Sequence, residues 1–268
     1  MRQILLLVHD DAGQEARLQA ALDMARTMGG HLSCLDVVQM PAIAGDSMYG
    51  YAGAILLADE RSREETHRDR IDARLASESV SWTMASAVGG IASAIRDAAD
   101  LADIVFVNRS IDAAGAPDMR MVVGALLTKG RTPVVAVPQD SHGMNISGTA
   151  MVAWDGSSTS AAALRAAVPL LRHADTVLIV SVDDGTLRIP ARDAATYLSR
   201  HGIHPIIRPE RAFGRSTGDV LLTEVRERHA DYVVMGGYGH NRILEALFGG
   251  VTRQFLAECP VPMVLAHD

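Results

Sequence analysis

The residues best suited to chemistry stand near the C-terminus: Met235-Gly236-Gly237-Tyr238-Gly239-His240, followed after Phe248 by Gly249-Gly250-Val251-Thr252. Their spacing is Gly-x2-Gly-x9-Gly. An apolar run over 231–236 leads into the cluster, and a helical pattern over about 250–259 leads out of it. Glycine at a strand end tolerates positive φ and admits close backbone approach. A helix start adds unpaired N–H groups and the positive end of a dipole, which together favour phosphate. Two glycine-lined loops facing one helix start make an anion cradle that needs no lysine. The competing reading is that these glycines merely permit tight turns. His240 can reach a phosphate from this loop or stand as a solvated histidine. The only lysine, Lys129, precedes Gly130 rather than Ser or Thr, which excludes a Walker A loop.

Other constellations carry less. His201 and His204 are separated by Gly202, which breaks a helix between them, and no His-x3-His element occurs, so zinc is not expected. Asp183 and Asp184 offer carboxylates for Mg²⁺, but a solvated acidic loop is the better reading. Ser157, Ser158 and Thr159 lack the Gly-x-Ser-x-Gly pattern of a nucleophile elbow. Cys34 and Cys259 have apolar neighbours and read as small core residues. The mixed charges of Arg61 to Arg74 suit a solvated helix face with i,i+4 pairs.

The elements that must position the cluster are written twice. Ala102-Asp103-Ile104-Val105 is matched by Ala230-Asp231-Tyr232-Val233, and Thr132-Pro133-Val134-Val135 by Val261-Pro262-Met263-Val264. Asp10 and Asp155 each close an opening apolar run. The first copy is longer, and its extra residues are expected within 39–55. Units 1–138 and 149–268 are expected, joined by a polar linker over 139–148. In the second copy strands are expected at 149–154, 176–182, 204–208, 231–236 and 262–266. Helices are expected at Ser158–His173, Pro190–His201, Thr217–His229 and about 250–259, with Ser216 or Thr217 capping the third. Strand-length apolar runs alternating with helices imply parallel strands covered on both faces, an α/β doubly wound sheet whose ligands lie outside the strands' carboxyl ends at the switch point. At 268 residues, 48 % hydrophobic and net charge −7, the chain is globular rather than disordered. A net negative charge and 4 % aromatic content argue against a nucleic-acid partner. The opening run Ile4 to Val8 is too short for a membrane span, so no membrane association and a cytoplasmic location are expected.

Val234-Met235-Gly236-x-x-Gly239-x9-Gly249-x-Val251-Thr252-Arg253, followed by Cys259-Pro260-Val261-Pro262, resembles the C-terminal signature of the universal stress protein family. Val152-Ala153-Trp154-Asp155-Gly156-Ser157 is similar to that family's opening motif. The resemblance covers both copies and implies a tandem arrangement of five-stranded parallel sheets, each with strand order 3-2-1-4-5 and of adenine nucleotide α-hydrolase type. It further implies ATP binding, or binding of AMP or ADP, in the second copy. Asp155 and Val182 would contact the adenine or ribose end. Gly236, Gly239 and Gly249 would surround the ribose and phosphates, and Val251 would offer a backbone contact. The family usually carries Ser or Thr directly after the third glycine, where this chain has Gly250. The missing hydroxyl–phosphate bond is worth about 1.5–3 kcal/mol, roughly 10- to 150-fold in affinity, with Thr252 available as a partial substitute.

In the first copy Asn108 stands for Gly236, Ile111 for Gly239, and Arg120 and Met121 for Gly249 and Gly250. That copy is expected to have lost the cradle. Residues 1–144 carry 13 basic and 19 acidic residues against 12 and 13 in 145–268, so an anion is repelled less by the latter. The resemblance also implies that the last strands, Val134–Val137 and Val261–Ala266, pair within the chain as a pseudo-dimer, with a homodimer as a further possibility. The expected function is a stress-response module that responds to an adenine nucleotide. The alternatives are an interaction module without nucleotide, or a slow ATP-hydrolysing enzyme for which no general base is identifiable.

Overall fold

The computed structural model describes residues 1–38, 50–111, 118–183, 189–238 and 250–268. Its first half runs β1 (Gln3–Val8), α1 (Gln14–Met28), β2 (His31–Val38), α2 (Gly50–Ala76), β3 (Ser81–Val88), α3 (Ile91–Ala98), β4 (Ile104–Asn108), α4 (Met119–Lys129) and β5 (Val134–Val137). The second runs β6 (Thr149–Ala153), α5 (Ser158–Leu171), β7 (Thr176–Asp183), α6 (Ala191–Arg200), β8 (Ile206–Arg211), α7 (Thr217–Glu227), β9 (Tyr232–Gly236), α8 (Gly250–Glu258) and β10 (Met263–Ala266).

The central strands are apolar through their middles because both faces are covered. Ile4, Leu6, Ile104, Phe106, Ala150 and Val152 face one core, packed with α1 and α5. Leu5, Leu7, Val105, Val107, Met151 and Ala153 face the other, packed with α4, α7 and α8. Among the described residues no helix is long and apolar enough to cross a membrane.

Strand order is β3-β2-β1-β4-β5-β10-β9-β6-β7-β8. Read inward from either edge it is 3-2-1-4-5, the order expected for each copy. The two five-stranded sets join into one sheet of ten strands, because β5 and β10 pair antiparallel, Val135 opposite Val264. All other pairs are parallel. The repeated Ala-Asp motif does the same work in both halves: Asp103 accepts hydrogen bonds from the Arg2 and Gln3 amides, and Asp231 from that of Thr149. Each carboxylate ties the start of its half's first strand to the start of the fourth.

Three expectations need adjusting. Residues 50–55, read as part of a glycine-, alanine- and methionine-rich insertion, belong to α2, while 39–49 lie outside the described residues. β8 begins at Ile206 and runs on to Arg211, past Pro209, because an edge strand tolerates a missing N–H. The polar linker is pinned: Met144 and Ile146 are buried, the Met144 amide donates to Asp23 Oδ2 (3.0 Å), and Asn145 Nδ2 donates to Asp231 Oδ1 (3.1 Å).

Both thiols are buried among apolar side chains, and burial pushes Cys34 up to about 12 and Cys259 to about 11. Raised values leave almost no thiolate at pH 8. An aromatic disulfide reagent is therefore expected to label neither cysteine in the folded protein, and both at once in denaturant. Stoichiometric labelling of native protein within minutes would contradict this packing.

Candidate functional site

The site is built on the carboxyl ends of three neighbouring strands. β6 pairs with β7 on one side and β9 on the other, with Ala153 opposite both Val180 and Met235. That register brings Asp155, Val182 and the Gly236–Gly237 pair into a row. β6 is also where connections diverge, outward to β7 and inward to β9, which makes this the topological switch point.

Asp155 is exposed at the centre of the row. Its Oδ1 accepts from the Ser157 amide (2.9 Å) and the Ser157 hydroxyl (2.6 Å). Ser157 in turn caps α5, its Oγ accepting from the Ser160 amide (3.1 Å). Ser157 is thus the cap and Asp155 its support. Gly156, between them, takes φ +70°, which lets the chain turn from strand to helix.

Gly236 has a structural duty of its own. A Cβ there would lie 2.6 Å from the Ser160 amide nitrogen and 2.7 Å from the Thr159 carbonyl carbon. The start of α5 presses directly on the end of β9. Gly250 differs: a Cβ there meets nothing within 4 Å among the described residues. Val182 and Met235 turn their side chains into the core shared with α7 and α8 and can present only backbone at the edge. Thr252 is buried inside α8, and Val251 packs partly against the same core. Gly239, His240 and Gly249 lie outside the described residues.

Sequence reasoning overlooked Tyr238. Its backbone is left-handed (φ +58°) and its ring lies over Gly124 of α4, where a Cβ would be 3.2 Å from the phenol oxygen. The hydroxyl donates to the Arg120 carbonyl (3.1 Å), and burial pushes the phenol up to about 12. A tyrosine between two glycines at a strand end is a weak signal, because its partner lies 118 residues away. Beside it, His267 Nδ1–H donates to the Gly237 carbonyl (2.8 Å). His267 also borders a cleft of about 790 Å³ lined by Lys129, Arg131, Arg165 and Asp268.

The equivalent edge of the first half is filled. Asn108 is fully buried, and its Nδ2 donates to the carbonyls of Gly13 (3.2 Å) and Val137 (3.3 Å). Its Oδ1 accepts from Arg17, whose guanidinium also reaches Asp11 (3.1 Å) and the Leu7 carbonyl (2.7 Å). Both Arg17 and Asp11 side chains are fully buried. Asp10, the counterpart of Asp155, is contacted by His67 (3.1 Å) and Arg70 (3.6 Å) from α2. His67 is buried, while Arg63, Glu65, Asp69 and Arg70 around it are exposed, the solvated face their charge pattern suggested.

The two glycines make opposite predictions. Gly236→Ala is expected to destabilise by about 1–3 kcal/mol, since backbone atoms cannot yield to the methyl group. Gly250→Ala should stay within about 1 kcal/mol of wild type or gain slightly, because alanine favours helix. Urea unfolding of both variants checks this, and equal midpoints would refute the crowding at Gly236.

Residues 190–267 match the model of the Universal stress protein family. No curated protein matches the chain. Among solved structures, a universal stress protein from Archaeoglobus fulgidus DSM 4304 superposes with a TM-score of 0.74 at 15 % identity, covering 99 % of this chain and 96 % of that one. A functionally unknown protein from Pseudomonas aeruginosa PAO1 gives a TM-score of 0.63 at 16 % identity, over 100 % of this chain and 92 % of its own. A universal stress protein in complex with cAMP matches 45 % of this chain with 97 % of its own, at 21 % identity and a TM-score of 0.36. The C-terminal part of this chain thus resembles the universal stress protein family, and the whole chain carries the fold of the Archaeoglobus fulgidus universal stress protein.

Proposed function

We propose that the C-terminal unit, 149–268, binds ATP or a related adenine nucleotide at the carboxyl edge of β6, β7 and β9 and acts as a ligand-responsive regulatory module of the cytoplasm. The observation that carries this reading is the row of Asp155, Val182 and Gly236 across three adjacent parallel strands at the switch point. The ribose would meet the exposed Asp155 carboxylate, and the base would lie along the backbone end of β7. The phosphates would lie between the end of β9 and the start of α8, where the helix N–H groups and dipole favour an anion. The space that the described residues leave at Gly250 suits a group larger than a methyl.

Unit 1–138 is the degenerate partner, joined through 139–148 and held against unit 149–268 by β5–β10 pairing as an intramolecular pseudo-dimer. Its own edge is taken up by Arg17, Asp11 and Asn108. The arrangement supports binding more than turnover, because the Asp155 Oδ1 that faces α5 already accepts two hydrogen bonds from Ser157.

Titration calorimetry with ATP on wild type and Gly250→Ser tests the proposal. Wild type is expected to bind, and the serine variant to bind roughly 10- to 150-fold more tightly through its added hydroxyl–phosphate bond. Gly250 is the better position to vary, since substitution at Gly236 disturbs packing whether or not a ligand is present. No binding heat in either protein would leave the chain as an interaction module without nucleotide.

A further inference from the structure

We propose that Phe213 is the stacking platform for the nucleotide base, a specificity-determining residue of the second half's site. The inference rests on the nucleotide reading above. Phe213 follows the edge strand β8 in a tight turn closed by the Arg215 amide on the Ala212 carbonyl (2.9 Å). Both central residues of the turn have positive φ, Phe213 at 45° and Gly214 at 83°. Such turns strongly prefer Asn, Asp or Gly at the first central position, because a bulky side chain is strained there. The ring is also 84 % exposed, the most exposed of the chain's aromatic side chains among those described.

One residue thus bears two penalties, a left-handed backbone and an unburied aromatic ring, and folding recovers neither. Strain kept at an over-determined position marks function. Position says which. Asp183 pairs with Arg211, so Phe213 stands two residues past the last described β7–β8 pair, on the same edge as Val182 and Asp155. At about 4.8 Å per strand, β8 lies about 10 Å from β6. A nucleotide with its phosphates at Gly236 and Gly250 and its ribose at Asp155 extends its base over β7, toward this turn. The first half has Val88 ahead of Gly89 at the corresponding strand end, and a valine offers no stacking face.

The test pairs affinity with stability. ATP and inorganic triphosphate are titrated into wild type, Phe213→Ala, Phe213→Tyr and Phe213→Asn, and each protein is melted. Loss of the stack should weaken ATP by about 5- to 150-fold in the alanine and asparagine variants. Tyrosine should restore it, and triphosphate binding should be unchanged throughout. Phe213→Asn should also raise the melting temperature by about 2–8 °C, as the strain is relieved. If wild type binds ATP and Phe213→Ala binds it equally well, the stacking role is overturned while the site stands. If wild type binds no nucleotide, the site reading fails and the stacking role with it.

Discussion

Each half of the sheet turns on one close approach. The start of its first helix presses on the end of its fourth strand, and the gap admits a side chain from only one side. In the first half the helix gives way: a Cβ on Gly13 would sit 2.5 Å from the Asn108 amide nitrogen. In the second half the strand gives way, with Gly236 bare beneath Thr159 and Ser160. This contact lies at the switch point, so the choice of side also decides what occupies the crevice. Asparagine on the strand fills it with protein polar groups. Glycine on the strand leaves backbone at the edge and puts the hydroxyls on the helix, where Ser157 and Ser160 are tied into its cap.

The same economy governs the seam. β5 and β10 have four residues each, all buried, and each would be a bare edge if its half stood alone. Pairing them covers both and leaves β3 and β8 as the outer edges of ten strands. The seam ties the candidate site to the first half as well. Gly237 donates to the Ala266 carbonyl (2.8 Å) and accepts from His267, so the chain leaving β9 is fastened to the end of β10. Tyr238 then reaches across to α4. The chain leaving β9 is therefore anchored on the first half through Tyr238.

Much of this was legible in the chain. Burial of parallel strands on both faces turns them into continuous apolar runs, so all five strands of the second half were locatable, and the Asp103/Asp231 repeat fixed the relation between copies. Ser216 was readable as a cap because the rule is local: its hydroxyl accepts from the Asp219 amide three residues on. What escaped was non-local. Arg17 sits in a helix whose neighbours are apolar, and only the fold brings it to Asn108, 91 residues away. The crowding at Gly236 is likewise invisible in sequence, where a glycine required by a neighbouring helix looks the same as one required by a phosphate. For Gly236 the two readings are compatible, since a strand end pared to backbone is also one that a ligand can approach.

The filled edge of the first half is more than a missing glycine. Arg17 and Asp11 are a fully buried pair, and removing one member of such a pair strands the other charge at a cost of about 3–5 kcal/mol. Asn108 supports that pair by accepting from Arg17 while its own amide bridges α1 and β5. A glycine at 108 alone would therefore not recreate the second half's arrangement, because the guanidinium would remain in the crevice with one acceptor fewer. Ala162, the counterpart of Arg17 when Asp10 and Asp155 are aligned, carries no such group. The two halves are separated by a cooperating set of residues on β1, α1 and β4, which makes the division between a closed half and an open one a stable property of the fold.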